Sequence, residues 1–153
     1  MEVLKLKQNK YGYTLLELIL VLALFSIMLS LVMPSLSNIY NTKENKELME
    51  FKRDIIFARN SAVVENCIYG VYIDLSNNSY KIVKEDKITT IIKDKQFTQG
   101  ITIKSNNFKN SINFSATGTP NRSGTILVTN RKNQNIEITI TPATGKVNLY
   151  NIE

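Results

Sequence analysis

One apolar segment governs the fold prediction: it spans Leu15–Met33 and reads LLELILVLALFSIMLSLVM. Its single ionisable side chain is that of Glu17. At the rise of an α-helix such a segment extends about 29 Å, close to the ~30 Å hydrocarbon core of a bilayer. The chain then becomes polar, reading NIYNTKENKELME over Asn38–Glu50. The sequence therefore predicts a membrane-length helix near its start and a water-exposed remainder.

A short basic segment precedes the apolar one and reads MEVLKLKQNKYG over residues 1–12. Positive charge before a first hydrophobic segment favours a cytoplasmic N-terminus, which places the remainder outside the membrane. A secretory signal peptide cleaved after Ser37 is one interpretation, but its apolar region is usually only about 7–15 residues long. A plain membrane anchor is another interpretation, and a processed leader is a third.

The position of Glu17 needs an explanation under any of these interpretations. A charged side chain costs about 2.5–3.5 kcal/mol at the centre of a membrane helix, and less near its end. One explanation is a capping box, in which Thr14 and Glu17 exchange hydrogen bonds at the helix N-terminus. A carboxylate in the first turn also suits the helix dipole. This local role is compatible with a second role for Glu17.

The segment Tyr11–Leu18, YGYTLLEL, resembles the processing site of type IV prepilins and pseudopilins. The family pattern is a basic leader ending in glycine, then an aromatic residue, threonine, leucine, an aliphatic residue and glutamate. The resemblance implies that a prepilin peptidase cleaves after Gly12, that Tyr13 is then N-methylated, and that Glu17 acts in assembly. Tyr13 stands where the family usually has phenylalanine. Pro34 matches a helix-kinking proline of many members.

The chemistry of such a cleavage gives these positions a physical meaning. A glycine at position 12 lets the scissile peptide enter a narrow protease site in an extended form. Cleavage creates a cationic α-amine on Tyr13, which needs a partner in a filament core because an unpaired buried charge is costly. Glu17 of a neighbouring subunit can supply that partner. Pro34 removes a backbone donor and clashes with the carbonyl of Ser30, which predicts a kink.

The helix is predicted to continue beyond the apolar segment to about Val64. Asn41–Glu47 contains no apolar residue and is predicted to be a solvated neck. Apolar residues then recur at steps of three and four, which indicates one helical face packed on a sheet. The face comprises Leu48, Phe51, Ile55, Ala58 and Ala62, and Met49, Ile56 and Val63 are predicted to widen it.

From Cys67 onward the pattern changes to short segments rich in β-branched and aromatic residues. The predicted strands are Cys67–Asp74, Tyr80–Lys84, Lys87–Lys93, Gly100–Lys104, Ser111–Ser115, Thr125–Thr129, Asn135–Thr141 and Lys146–Tyr150. Short strands joined by tight turns such as Pro142–Gly145 predict an antiparallel sheet. Cys67 is predicted to be a small core residue.

The fold class is therefore α+β. We expect a long N-terminal helix, transmembrane in its first half and kinked at Pro34, whose second half packs on a C-terminal antiparallel β-sheet. The predicted segments are a leader over residues 1–12, a transmembrane or filament-core helix over 13–34, its amphipathic continuation over 35–66, and a sheet head over 67–153.

The second half also resembles the GspH/FimT group of pseudopilins. The resemblance rests on the helix end Phe57–Ala62, FARNSA, on strand residues Phe114 and Gly118, and on Thr144–Val147, TGKV. That group includes type II secretion pseudopilins, minor pilins, and minor pilins linked to DNA uptake. It implies four partners: prepilin peptidase, other pilin or pseudopilin subunits, an inner-membrane assembly platform and membrane lipid.

Composition excludes several enzyme classes. The chain has no histidine and one cysteine, which rules out a Ser-His-Asp triad, a Cys-His pair, a cysteine-based zinc cluster and an intramolecular disulfide. No motif pairs its carboxylates for acid–base chemistry. We therefore predict no enzymatic activity and no cofactor or metal.

Nucleic-acid binding has weaker support. The formal net charge is +6, and removing residues 1–12, with three lysines and one glutamate, leaves +4. A phosphate-binding face needs clustered charge, but the basic residues of this chain are scattered along the sequence. The best candidates among them for contacts with DNA or a partner are Arg122, Arg131 and Lys132.

The sequence favours a minor pilin or pseudopilin that joins or primes a type IV pilus, a type II secretion pseudopilus or a competence pseudopilus. The alternative is a single-pass membrane-anchored ligand- or DNA-binding module that does not polymerise.

Overall fold

The computed structural model describes residues 13–109 and 111–152, apart from the side chains at 31–38 and 152. The predicted leader, including Gly12, lies outside these described residues. The described part contains one helix, α1, over Leu15–Glu65, followed by eight strands. The α+β class is thus confirmed. The chain divides into two compact units, Met1–Ile39 and Tyr40–Glu153, each of which is described by itself.

All eight predicted strands are present, with boundaries within three residues of the prediction. They are β1 Ile68–Asp74, β2 Ser79–Glu85, β3 Thr89–Gln96, β4 Thr102–Asn106, β5 Ser111–Phe114, β6 Gly124–Thr129, β7 Asn135–Ile140 and β8 Val147–Ile152. Every described pairing between them is antiparallel. The predicted turn at Pro142–Gly145 connects β7 to β8, and Ile140 lies opposite Val147.

The strands form two sheets rather than the single sheet that the sequence indicated. One sheet has the order β3-β2-β1-β5 and the other the order β4-β6-β7-β8. The separation arises because β5 pairs with β1, across the intervening β2, β3 and β4, while β4 pairs with β6. Strand patterns report local periodicity but carry no information on such non-local pairings.

The core lies against the second half of α1, as the periodicity predicted. Leu48, Phe51, Ile55, Ala58 and Ala62 are all buried. The ring of Phe51 lies 4.5 Å from that of Tyr80 and 5.2 Å from that of Phe97, centroid to centroid. Met49 and Val63 are exposed, so the predicted widening is wrong at these two positions. Each follows a core residue directly and is therefore turned about 100° away from the buried stripe.

The predicted solvated neck, Asn41–Glu47, is wrong at two of its residues. Glu44 and Glu47 are each only 4% exposed. The carboxylate of Glu47 accepts hydrogen bonds from the backbone N–H groups of Thr98 at 2.8 Å and Gln99 at 3.1 Å. Burial of a carboxylate is tolerated when it is hydrogen-bonded in this way. The polar composition of Asn41–Glu47 suggested exposure to solvent. The partners of Glu47 could not be inferred from it, because they lie about fifty residues further along the chain.

The backbone of α1 is helical through position 34, whose side chain is outside the described set. The kink at Pro34 therefore stays a prediction. Within the described side chains, none of the helices combines the length and the apolarity that crossing a membrane requires.

Candidate functional site

The first turn of α1 contains the two residues that the sequence singled out at its N-terminus. The helix begins at Leu15, and the amide of Leu18 donates to the carbonyl of Thr14 at 3.2 Å. The hydroxyl Oγ1 of Thr14 accepts a hydrogen bond from the amide of Glu17 at 3.2 Å. In return, Oε2 of Glu17 accepts from the amide of Thr14 at 3.4 Å. These two bonds form a capping box, whose second bond is the longer and weaker.

The surroundings of this turn are apolar and uncovered. Tyr13 is 91% exposed, and the exposed large apolar side chains continue through the described part of the helix. They comprise Leu15, Leu16, Leu18, Ile19, Leu20, Val21, Leu22, Leu24, Phe25, Ile27, Met28 and Leu29. A continuous apolar surface of this kind marks contact with lipid or with other protein chains. Glu17 therefore places a carboxylate within an apolar surface that is suited to contact with lipid or with other protein chains.

Glu17 is held close to the residue that cleavage would make the N-terminus. Tyr13 directly precedes the cap residue Thr14, so it lies one turn from Glu17. Within the described contacts only Oε2 of Glu17 is used, by its long bond to the cap. A carboxylate can accept several hydrogen bonds, so its remaining capacity is available to a donor on a neighbouring chain. The geometry fits a role in recognition and offers no catalytic pair.

Arg131 makes contacts within its own chain rather than presenting a free charge. Its Nε lies 3.3 Å from Oε1 of the buried Glu44, and its guanidinium sits 4.6 Å from the centroid of the Tyr40 ring. Gly100 makes room for it, since a Cβ there would come within 2.3 Å of the Arg131 Nε. Arg131 thereby anchors the β6–β7 loop to the second unit's part of α1.

The three basic candidates do not form one cluster. Arg131 and the exposed Lys132 follow β6 in the same loop, whereas Arg122 precedes that strand. A strand of this length separates its ends by about 20 Å. The structure brings two of the candidates together and leaves the third at the opposite end of β6, which gives no continuous phosphate-binding face.

Three residues of the GspH/FimT-like motifs meet in space at the end of α1. Nε of Arg59 donates a hydrogen bond to the carbonyl of Gly118 at 3.2 Å. Gly118 and Gly145 both adopt positive φ, at 75° and 61°. A Cβ on Gly145 would lie 2.6 Å from the Gly118 carbonyl oxygen and 2.9 Å from Cδ of Arg59. The motif is thus a packing motif: one arginine joins two turns whose backbones require glycine.

Sequence reasoning missed a charged cluster between α1 and β3. Nζ of Lys93 lies 2.8 Å from Oε1 of Glu50 and 2.7 Å from Oδ2 of Asp54. Lys95 forms an ion pair with Glu50, and the Tyr80 hydroxyl donates a hydrogen bond to Asp54. The alternation Lys93-Asp94-Lys95 was the available signal, since residues two apart share one face of a strand.

The electrostatics of this cluster follow from its hydrogen bonds. Hydrogen bonds from Lys93 and then Lys95 lower the pKa of Glu50 to about 2. Burial, followed by the hydrogen bond to Asp54, raises the pKa of the Tyr80 hydroxyl well above its usual value. Over residues 13–109 and 111–152, no group of His, Cys, Asp and Glu side chains is arranged to hold a metal ion.

Two families match the sequence. Residues 47–144 match the family described as "Type II transport protein GspH", and residues 7–33 match the "Prokaryotic N-terminal methylation motif". The chain is 31% identical over 147 residues to the competence protein ComGD of Bacillus subtilis (strain 168), covering 95% of this chain and 96% of that protein.

The fold has a counterpart among solved structures. The minor pseudopilin EpsH from the type 2 secretion system of Vibrio cholerae superposes with a TM-score of 0.57 at 12% identity, over 70% of this chain and 95% of that one. The GspH match spans most of the head, and the ComGD similarity spans nearly the whole of both proteins. The chain therefore belongs to the GspH class of type IV pseudopilins, structural filament subunits that prepilin peptidase processes and that are not enzymes.

Proposed function

We propose that this pseudopilin is a minor subunit of a competence pseudopilus. Prepilin peptidase cleaves it after Gly12, Tyr13 becomes its N-methylated first residue, and Glu17 directs its entry into the filament. The match to the methylation motif covers all three of these positions. ComGD, to which the chain is similar over nearly its whole length, bears the name of a competence protein, which favours this machine over a type II secretion pseudopilus.

The observation that carries the proposal is the setting of Glu17. It is the only charged residue of the apolar segment, it lies one turn from the cleavage position, and its bond to the cap is long. In a filament core, the new amine of Tyr13 would be buried beside it on an adjacent subunit. The cap bond joins the carboxylate to a neutral N–H at 3.4 Å, whereas the amine of Tyr13 would bring an opposite charge as well as a donor, so Glu17 gains by exchanging partners.

Before assembly, residues 13–34 lie in the cytoplasmic membrane and the head lies outside. The apolar length of Leu15–Met33 and the lysines of the leader support this arrangement. Lipid then covers the exposed apolar side chains until other pilin or pseudopilin subunits replace it, with an inner-membrane assembly platform as the site of exchange.

The test is incorporation of a Glu17→Gln variant into sheared surface filaments of the native host. The variant keeps the size of the side chain but leaves the Tyr13 amine without its anion. Leaving a buried charge unpaired costs about 3–5 kcal/mol, so incorporation should fall at least about a hundredfold. The mass of the membrane-bound chain should still show cleavage after Gly12, which separates processing from assembly.

Two control variants isolate the role of the charge. Ser26→Ala removes a hydroxyl that only donates to the Leu22 carbonyl of its own helix, and incorporation should not change. Thr14→Val breaks the capping box at a cost of about 1 kcal/mol while keeping the carboxylate. If Glu17→Gln enters filaments normally, or if Thr14→Val is equally defective, the assembly role of Glu17 is wrong.

The second unit offers little to a nucleic-acid-binding function. Arg131 is committed to Glu44 and Tyr40, and Arg122 stands at the other end of β6. Direct contact with DNA, as by a membrane-anchored module that does not polymerise, would leave transformation intact in the Glu17→Gln strain. We expect transformation to be lost together with incorporation.

A further inference from the structure

A polar cavity lies in the second unit, between α1, the β6–β7 loop and the end of β8. Its volume is about 630 Å³, within the range of about 300–1,000 Å³ that is usual for sites that bind small molecules. Seven of its ten lining residues carry a carboxamide, and the other three are Glu44, Lys132 and Ile136. Such a lining is suited to a ligand that is held by hydrogen bonds.

The β6–β7 loop holds its wall of the cavity in a fixed shape. Oδ1 of Asn130 accepts hydrogen bonds from the amides of Lys132 at 3.0 Å and Gln134 at 2.9 Å. Its Nδ2 donates to Oε1 of Gln134 at 2.8 Å. Arg131, in the same loop, ties it to Glu44 of α1. Because this wall is ordered before a ligand arrives, binding does not have to order it.

Glu44 is buried in the wall of the cavity and has few partners. It is only 4% exposed, and its one described polar contact joins Oε1 to Nε of Arg131 at 3.3 Å. An ionised carboxylate can accept about four hydrogen bonds, and a buried acceptor that lacks donors is costly. A ligand that presents O–H or N–H groups in the cavity would supply those donors.

Five carboxamides of the lining also have hydrogen-bonding capacity to spare. Among the contacts of the part of the chain that the structure describes, their side chains make no hydrogen bond. Each offers one acceptor oxygen and an amino group with two donors. A hydroxyl group both donates and accepts, so it can pair with either end of a carboxamide. The five are Asn41, Asn45, Asn133, Asn135 and Asn151.

The charges around the cavity disfavour an ionic ligand. A divalent cation would approach Glu44 only beside the guanidinium of Arg131, which repels it. A polyanion such as a nucleic acid needs clustered cations, whereas the lining offers one exposed lysine, Lys132, next to a buried carboxylate. An apolar ligand would find a single apolar residue, Ile136. The ligand that fits is neutral and rich in hydroxyl groups.

We propose that this cavity binds a neutral saccharide. Its hydroxyl groups donate to the carboxylate of Glu44 and to the carboxamide oxygens, and they accept from the carboxamide nitrogens. The fixed loop and the buried acceptor give the site its preference for hydroxyl groups, since a ligand without them would leave these polar groups unpaired. This inference concerns the surface of the head and requires neither cleavage at Gly12 nor filament assembly.

Calorimetric titration of the full chain tests the proposal. The protein is solubilised in dodecyldimethylamine oxide, a detergent without a sugar headgroup, and titrated with neutral tetrasaccharides. The probes are chitotetraose, cellotetraose, maltotetraose and mannotetraose, and an oligothymidylate serves as the anionic comparison. At least one tetrasaccharide should bind with a Kd below about 1 mM, and the oligothymidylate should bind more weakly.

Variants of the lining locate the bound saccharide. Asn45→Ala and Asn135→Ala each remove one exposed carboxamide and should each raise the Kd about three- to tenfold. The matched control is Asn60→Ala, the same change at an exposed position of α1 outside the lining, which should leave the Kd unchanged. The proposal is overturned if no tetrasaccharide binds, if the oligothymidylate binds more tightly than every saccharide, or if the two lining variants bind as well as Asn60→Ala.

Discussion

Three glutamates of α1 illustrate how strongly a residue's role depends on the distance to its partners. Glu17 could be assigned from the sequence because its cap, Thr14, lies three residues away and the spacing is diagnostic. Glu44 and Glu47 were predicted to be solvated because their neighbours are polar. Both are buried, and their partners, Arg131 for Glu44 and the amides of Thr98 and Gln99 for Glu47, come from loops that are distant in the sequence. No local pattern contains that information.

Glu47 should be a major contributor to the stability of the head. Glu47→Ala leaves the amides of Thr98 and Gln99 without an acceptor, and a buried unsatisfied donor costs about 1–3 kcal/mol. The free energy of unfolding of the full chain, from urea titration followed by circular dichroism, should therefore fall by about 2–3 kcal/mol. Lys46→Ala, at an exposed neighbouring position, should change it by no more than about 0.5 kcal/mol. Equal effects of the two variants would contradict the role of Glu47.

Gly145 should be irreplaceable in the β7–β8 turn. Gly145→Ala introduces a Cβ at a φ of 61°, against the Gly118 carbonyl and the Arg59 side chain. We expect the free energy of unfolding to fall by more than about 1 kcal/mol, the strain of a non-glycine residue at positive φ. The exposed Ala143→Gly in the same turn tests generic flexibility and should cost less than about 1 kcal/mol. A neutral Gly145→Ala would refute the close contact.

At the scale of elements, local sequence patterns predicted the individual strands and the helix, whereas contacts between residues distant in sequence determine how these elements pack together. All eight strands could be predicted because alternation and turn residues are local signals. The division into two sheets could not, because it depends on β5 pairing with β1. The buried helix face was predicted from its period, but the ion pairs beside it were not. Those ion pairs join α1 to β3 through residues about forty positions apart.

The junction between α1 and β3 should weaken in acid. The pKa of Glu50 is lowered from 4.5 to about 2 by hydrogen bonds from Lys93 and Lys95. Its contribution is therefore fully present above pH 4.5 and is lost as the pH falls through about 2. The free energy of unfolding, measured from neutral pH downward, should decline less steeply over this window in Glu50→Gln than in the wild type. Parallel declines would show that Glu50 does not carry the effect.

At the scale of the whole molecule, the mature N-terminus is the sharpest prediction. The intact mass and N-terminal sequence of the protein from its native host should show a chain that begins at methylated Tyr13. We expect processing after Gly12 because the pattern from Gly12 to Glu17 resembles the prepilin processing site and lies within the match to the methylation motif. A chain that begins at Met1 would favour a plain anchor, and one that begins after Ser37 would indicate a secreted domain.

Strand β4 precedes β5 in the chain but belongs to the sheet that is completed later. This arrangement constrains the order in which the strands of the head can pair during synthesis. As the chain emerges from its N-terminus, β1, β2 and β3 can pair at once, and β5 can join them directly afterwards. Strand β4 is made earlier than β5, yet its described partner is β6. A nascent or truncated chain that ends before Gly124 therefore exposes β4 along both edges, which invites aggregation. The last strands thus cover the earlier ones once synthesis is complete, and quality-control proteases should degrade chains that stop short of β6.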